Sequence, residues 1–321
     1  MSSRHSQGTR ALTEGALLAA LTIVLYVANV YTQLLIYVIP VPVAILVVRN
    51  GLRAGAVASV VSALGVGLVL GPIDGITVLI RVALVGLVMG GLMAKPARAM
   101  TTLLATAAAQ AGVVITDFLI VAATSGLSPS AMLERLQNAM AEAASQSSAM
   151  YERLGVPQQA LEQAKAMAEL LPQWFEMFLP TILMGGALLA ALIAYSTARW
   201  ILRRTKVEVE ALPPFGQWRL GWQWAWGLIA ALLVGQLLSS VGGEILGRLV
   251  SNVVMMYVLL YTVFGMAVAW GVMEHFRVPV GFRAFLLFMV YVTPPFNWAL
   301  TLAGLLDGWV DFRRLVRRRQ G

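Results

Sequence analysis

The sequence predicts an all-α, polytopic membrane protein: a helical bundle of about eight full spans followed by a broken or re-entrant C-terminal segment. Three observations predict it. Only 12% of the 321 residues are charged, about half the share usual in a soluble domain, and the mean hydropathy is +0.80. Apolar runs of about 20 residues, the length that crosses a hydrocarbon core, recur along the whole chain. The basic residues sort to alternate turns, as the enrichment of Lys and Arg in cytoplasmic loops requires. The net charge of +8 would suggest a nucleic-acid partner in a soluble protein. Here topology accounts for it, and no nucleic acid is expected.

The first apolar stretch, TEGALLAALTIVLYVANV (Thr13 to Val30), follows a polar start with no small-residue cleavage site after it, and so reads as a retained span. Its entry turns place small groups on two adjoining strips, Gly15 with Ala19 and Ala16 with Ala20. Lipid supplies no hydrophobic drive between helices, so small strips mark close helix packing, either inside the molecule or against a partner helix. Further apolar segments fall at about 31–49, 52–70, 74–94, 100–124, 174–200, 220–241, 250–273 and 284–306. Gly67-x-x-x-Gly71 and Gly86-x-x-x-Gly90 are explained by internal packing. With a cytoplasmic N-terminus, Arg49, Arg53, Lys95, Arg98, Arg199, Arg203, Arg204 and Lys206 all fall inside, whereas the turns at 29–33 and 71–75 carry no Lys or Arg.

Three domains are read from this order. Residues 1–124 form a five-span half, residues 125–173 a polar insert, and residues 174–321 a second membrane half with a basic cytoplasmic tail. Ser128 and Pro129 suit a helix start, Gly155-Val156-Pro157 a stop, and a second helix is expected to run to Leu171. This extracytoplasmic hairpin is either a solvated connector or a lid over an outward cavity. A full ninth crossing would export the arginine-rich tail. The adjacent prolines Pro294 and Pro295 cannot sit in an unbroken helix, so the last apolar segment is expected to break or re-enter. Both termini then lie in the cytoplasm, at the plasma membrane. Trp218, Trp222, Trp224 and Trp226 cluster where one span enters, as interfacial anchors do.

Chemistry is sparse. With no cysteine and only His5 and His275, thiolate chemistry, disulfides and histidine-cluster metal sites are excluded. GLVMGGLMAK lacks the GK[ST] ending of a phosphate loop and lies in a span. No nucleophile–base constellation is present, so no catalytic residue, metal or cofactor is expected and the chain reads as a non-enzyme. The informative positions are charges inside spans. Arg81 and Asp117 each lie seven residues from the outer ends of their segments, about 10 Å deep. A charge there costs at least about 2.5–3.5 kcal/mol, so each is the other's simplest partner, either as a register lock or as a ligand site. Asp74, two turns above Arg81, extends the polar track.

The GALLAAL helix after a cytoplasmic start resembles the substrate-binding (S) components of energy-coupling-factor (ECF) vitamin transporters. That resemblance implies a transmembrane coupling subunit and its ATPases as partners, with Ala16 and Ala20 at the contact. LPPFGQWRL (Leu212 to Leu220) and GLLDGWVDFRR (Gly304 to Arg314) resemble the YybS-like family of bacterial multi-pass membrane proteins, distantly related to those S components. The extra C-terminal helices and the long insert depart from ordinary S components. In the terminal stretch, Asp307 and Asp311 are four apart and share a helix face. With Arg313, Arg314, Arg317, Arg318 and Arg319 they form an amphipathic exit suited to anionic lipid head groups or to a docked cytoplasmic protein. The function expected is small-molecule binding or transport without an ATPase of its own, the ligand unknown. The alternative is a membrane scaffold that recruits other proteins and moves no solute.

Overall fold

The computed structural model describes residues 2–95, 97–238, 243–293, 295–310 and 312, with side chains from Ala11 onward, Pro129 excepted. Pro294, Asp311, Arg313, Arg314, Arg317, Arg318 and Arg319 lie outside the described residues. Every regular element among those residues is helical. The helices are α1 (Ser2–Thr32), α2 (Val41–Asn50), α3 (Leu52–Leu70), α4 (Pro72–Arg81), α5 (Val88–Met93), α6 (Ala99–Ser125), α7 (Pro129–Arg153), α8 (Gln158–Arg204), α9 (Trp224–Leu238), α10 (Gly243–His275), α11 (Val280–Val292) and α12 (Phe296–Val310). A π-helical turn, Val82–Leu87, joins α4 to α5 within one span.

Among the described residues six helices are long and apolar enough to cross a membrane, or seven if the bent pair α11–α12 forms one span. That is somewhat fewer than the expected eight full spans, and two of the expected segments are not among the six. The 31–49 run does not cross. Its helical part, α2, has ten residues, with Val41 to Val47 all buried, because a helix apolar on every side can belong to a protein core as well as to lipid. Of the 220–241 run the described helix is α9, 15 residues ending at Leu238, and residues 239–241 lie outside the described residues. The last segment is broken: α11 and α12 meet at 107°, with Pro295 in the break, where a proline ring and its missing N–H prevent continuation.

The chain divides into two compact units, one of Met1–Lys165 with Leu183–Leu212, the other of Ala166–Ile182 with Pro213–Gly321. In the first unit α2 is wrapped by its neighbours, and glycines set the closest approaches. A Cβ on Gly90 would lie 2.7 Å from the Ala44 carbonyl oxygen, and one on Gly75 2.8 Å from that of Ala63. Gly71, at φ +114°, makes the sharp turn from α3 to α4. At the end of the unit where α1 begins, Glu14 of α1 pairs with Arg49 and accepts a hydrogen bond from Asn50 of α2.

In the second unit α10 and α12 pack backbone to backbone. A Cβ on Gly304 would stand 2.0 Å from the Tyr261 carbonyl oxygen, and one on Gly265 1.8 Å from that of Leu300. Beside this contact the Thr262 and Thr301 hydroxyls are 2.7 Å apart. The 213–223 segment packs on the same helices, with Gly216 against Gly271 and Phe215 edge-on to Trp270.

The insert also differs from expectation. Its second helix does not stop at Leu171 but continues as α8 for 47 residues, through Pro172 and Pro180. Asn252 of α10 braces the second of these sites. Its Oδ1 accepts from the Thr181 backbone N–H at 3.2 Å and from the Thr181 hydroxyl at 2.8 Å, and its Nδ2 donates to the Met177 carbonyl at 2.7 Å. One side-chain amide thus serves both members of the i→i−4 pair next to Pro180. Asn252→Leu should cost about 1–2 kcal/mol, read as a lower midpoint of thermal unfolding in detergent. A leucine variant as stable as the parent would show that the helix passes Pro180 without this brace.

Candidate polar site within the first unit

The two charges singled out by depth meet. Arg81, at the end of α4, donates from Nη2 to Asp117 Oδ2 of α6 at 2.5 Å. The Arg81 side chain is 9% exposed and that of Asp117 30%. Arg81 stands nine residues from the start of α4 and Asp117 eight from the end of α6, about 12–14 Å along each helix. The π turn begins at the next residue, Val82. Such turns inside α-helices often accompany functional sites, because the extra residue turns carbonyls and side chains out of the regular ladder.

Tyr26 of α1 lies beside these charges. The Tyr26 hydroxyl donates to Asp74 Oδ1 at 3.1 Å, and Asp74, Arg81 and Asp117 all lie within electrostatic reach of that hydroxyl. Asn29, three residues on from Tyr26, falls on the same strip of α1. Two buried atoms of the pair itself have no hydrogen-bond partner, Arg81 Nε and Asp117 Oδ1, and Asn29 Oδ1 on the Tyr26 strip of α1 is a further buried atom without one. Buried polar atoms in folded proteins are nearly always paired, and a free donor beside a free acceptor on two contacting side chains describes a place prepared to meet a polar group. The pair offers one donor and one acceptor.

The small-residue strips of α1 separate. Ala19 is 1% exposed and its carbonyl accepts from Ser62 of α3. Gly15 faces Leu46 of α2. These two positions pack internally, whereas Ala16 and Ala20 remain exposed beside Leu17 and Leu21. A partner-helix contact on this face therefore rests on Ala16 and Ala20 alone.

Asp307 does not lie on a lipid-facing surface. It is 3% exposed, with Arg219 Nη2 donating to its carbonyl at 3.1 Å and Arg219 Nε 4.0 Å from its carboxylate. The PFGQWRL and GLLDGWV stretches are thus brought together inside the second unit. The same unit holds a buried arginine that no sequence pattern singles out. Arg283 donates from Nε to the Val278 carbonyl at 2.7 Å and lies against the Trp270 ring and Glu274. Tyr26, Asn29 and Asn252 are likewise absent from the residues expected on sequence grounds. Tyr26 and Asn29 carry one usable signal, the three-residue spacing of polar groups inside an otherwise apolar span. Among the described residues no group of three or more His, Cys, Asp or Glu is placed to hold a metal ion.

The sequence pattern of the family described as "Predicted membrane protein (DUF2232)" matches residues 17–308, and the chain belongs to that family. No curated protein and no solved structure gives a significant match.

Proposed function

We propose that this DUF2232 membrane protein binds a small molecule in the cluster formed by Tyr26, Asp74, Arg81 and Asp117, as an S-component-like subunit that has no ATPase of its own and performs no chemistry on its ligand. The observation that carries this reading is that the Arg81–Asp117 pair keeps two buried atoms without hydrogen-bond partners, Arg81 Nε and Asp117 Oδ1. A pair serving only to lock helix register would be expected to satisfy its own lone pairs and N–H groups. On this reading the N-terminus is cytoplasmic and the cluster is reached from the outer face of the plasma membrane. The hairpin that begins at Ser128 covers that face, and the basic C-terminal tail returns to the cytoplasmic lipid head groups. The relation to the YybS-like proteins and to ECF S components is part of the same proposal. A coupling subunit and its ATPases would then meet the exposed Ala16 and Ala20.

The test is to solubilise the protein from its own membrane in mild detergent and identify by mass spectrometry the proteins and small molecules that stay bound. A compound held by the parent and lost from Arg81→Lys and Asp117→Asn, at matched thermal stability, is the expected result. If neither variant changes the bound compounds, the pair is structural. The exposure of Ala16 and Ala20 also suits a second reading, a scaffold that gathers other membrane proteins without binding a solute. Changing both to Leu should release a coupling subunit and ATPases if the first reading holds. On the scaffold reading it should release other proteins, with no compound lost from the polar cluster.

A further inference from the structure

We infer that the molecule taken by this cluster is a small organic cation, one that carries an N–H donor group and a hydrogen-bond acceptor beside it. The inference rests on the small-molecule reading above and adds the chemical class. Charge is the first ground. Asp74 and Asp117 bring two carboxylates to the cluster and Arg81 one guanidinium, so the site as built carries one surplus negative charge. The other basic residues described in the membrane part of the first unit, from Arg49 and Arg53 to Arg203 and Arg204, lie at the turns of the opposite end. A carboxylate or phosphate entering past Asp74 would meet like charge in a region of low dielectric, whereas a cation would be drawn in.

Hydrogen-bonding capacity is the second ground, and it is independent of the charge count. Arg81 is more than nine-tenths buried, and its Nε–H, held beside Asp117 by the 2.5 Å bond from Nη2, has no acceptor. Asp117 Oδ1, on the carboxylate that Arg81 touches, is a buried acceptor without a donor. Pairing both atoms takes one donor and one acceptor. A bare inorganic cation would satisfy the oxygen and leave Arg81 Nε facing a positive charge. An anion without a donor group would satisfy Arg81 and leave the oxygen unpaired. An ammonium or protonated nitrogen next to a hydroxyl, carbonyl or ring nitrogen meets both requirements and the charge.

The experiment uses the full chain in nanodiscs of zwitterionic lipid at constant ionic strength, with the thermal unfolding midpoint as readout. The probes are ethanolamine and choline as cations, glycerol as a neutral donor, glycerol phosphate and lactate as anions, and sodium chloride as the inorganic cation. Protection by ethanolamine beyond that by choline, glycerol, the anions or sodium is expected, because only ethanolamine combines a charged N–H donor with an adjacent hydroxyl. Asp74→Asn, which leaves the Arg81–Asp117 pair in place, should weaken that protection about tenfold, the effect of removing one partly screened charge. Protection by the anions, by sodium alone, or by no cation overturns the inference. The mass-spectrometric test fails separately. A neutral or anionic compound found bound to the parent and lost from Arg81→Lys would leave the small-molecule reading standing and remove the cationic one.

Discussion

Replacing Arg81 with Met should lower the stability of the protein by about 3 kcal/mol, measured by thermal or denaturant unfolding in a fixed detergent. The cost arises from what remains behind. Asp117 keeps its carboxylate about eight residues inside α6, with one oxygen already buried and unpartnered. Without the guanidinium at 2.5 Å the other oxygen loses its donor as well. A charge left uncompensated inside a span is expensive, whereas two apolar residues of similar volume are tolerated. The double variant Arg81→Met/Asp117→Leu should therefore recover most of the lost stability while binding no ligand. A single variant that costs under about 0.5 kcal/mol would mean that Asp117 does not depend on Arg81 for its place inside the helix.

Gly304→Leu should be at least as damaging in the second unit, by about 3 kcal/mol or more. The first side-chain carbon alone would stand 2.0 Å from the Tyr261 carbonyl oxygen and 2.6 Å from the Gly265 nitrogen. These are backbone atoms that no rotamer change can move, so α10 and α12 would have to separate and the Thr262–Thr301 contact would open. Gly281, in α11 of the same unit, has nothing within 4 Å of the place a Cβ would take. Gly281→Ala should leave the fold unchanged or gain up to about 1 kcal/mol from helix propensity. Equal effects of the two substitutions on the unfolding midpoint would contradict the close packing of α10 on α12.

How far these features can be read from the sequence depends on the range of the interaction. Long apolar runs report lipid crossing well when nothing else can solvate them, as for α3, α6 and α10. The same signal misreads α2, since seven consecutive buried residues look alike whether protein or lipid surrounds them. Arg81 and Asp117 can be matched because opposite charges at equal depth have few other partners. Tyr26 cannot be assigned to the same cluster, because a single tyrosine is ordinary in a span until the neighbouring helix is placed. Asp307 shows the converse. Its spacing from Asp311 suggests a surface face, but its environment is set by Arg219, 88 residues earlier, and no local periodicity carries that information. Asn252 braces Thr181 across 71 residues for the same reason.

If the Arg81–Asp117 cluster takes a ligand, it can be reached from outside the membrane and is not a sealed lock between helices. Since the chain has no cysteine, single reporters can be placed without background. The most direct measurement is the reaction of Asn29→Cys with a membrane-impermeant thiol reagent applied from outside intact cells. Gln33→Cys beyond the end of α1 serves as the open reference, and the exposed, apolar-facing Val24→Cys as the lipid-embedded one. Reaction at position 29 slower than at 33 and well above that at 24 is the expected result. A cysteine at 29 as inert as one at 24 would contradict it and leave the pair as an internal fastening of the helices.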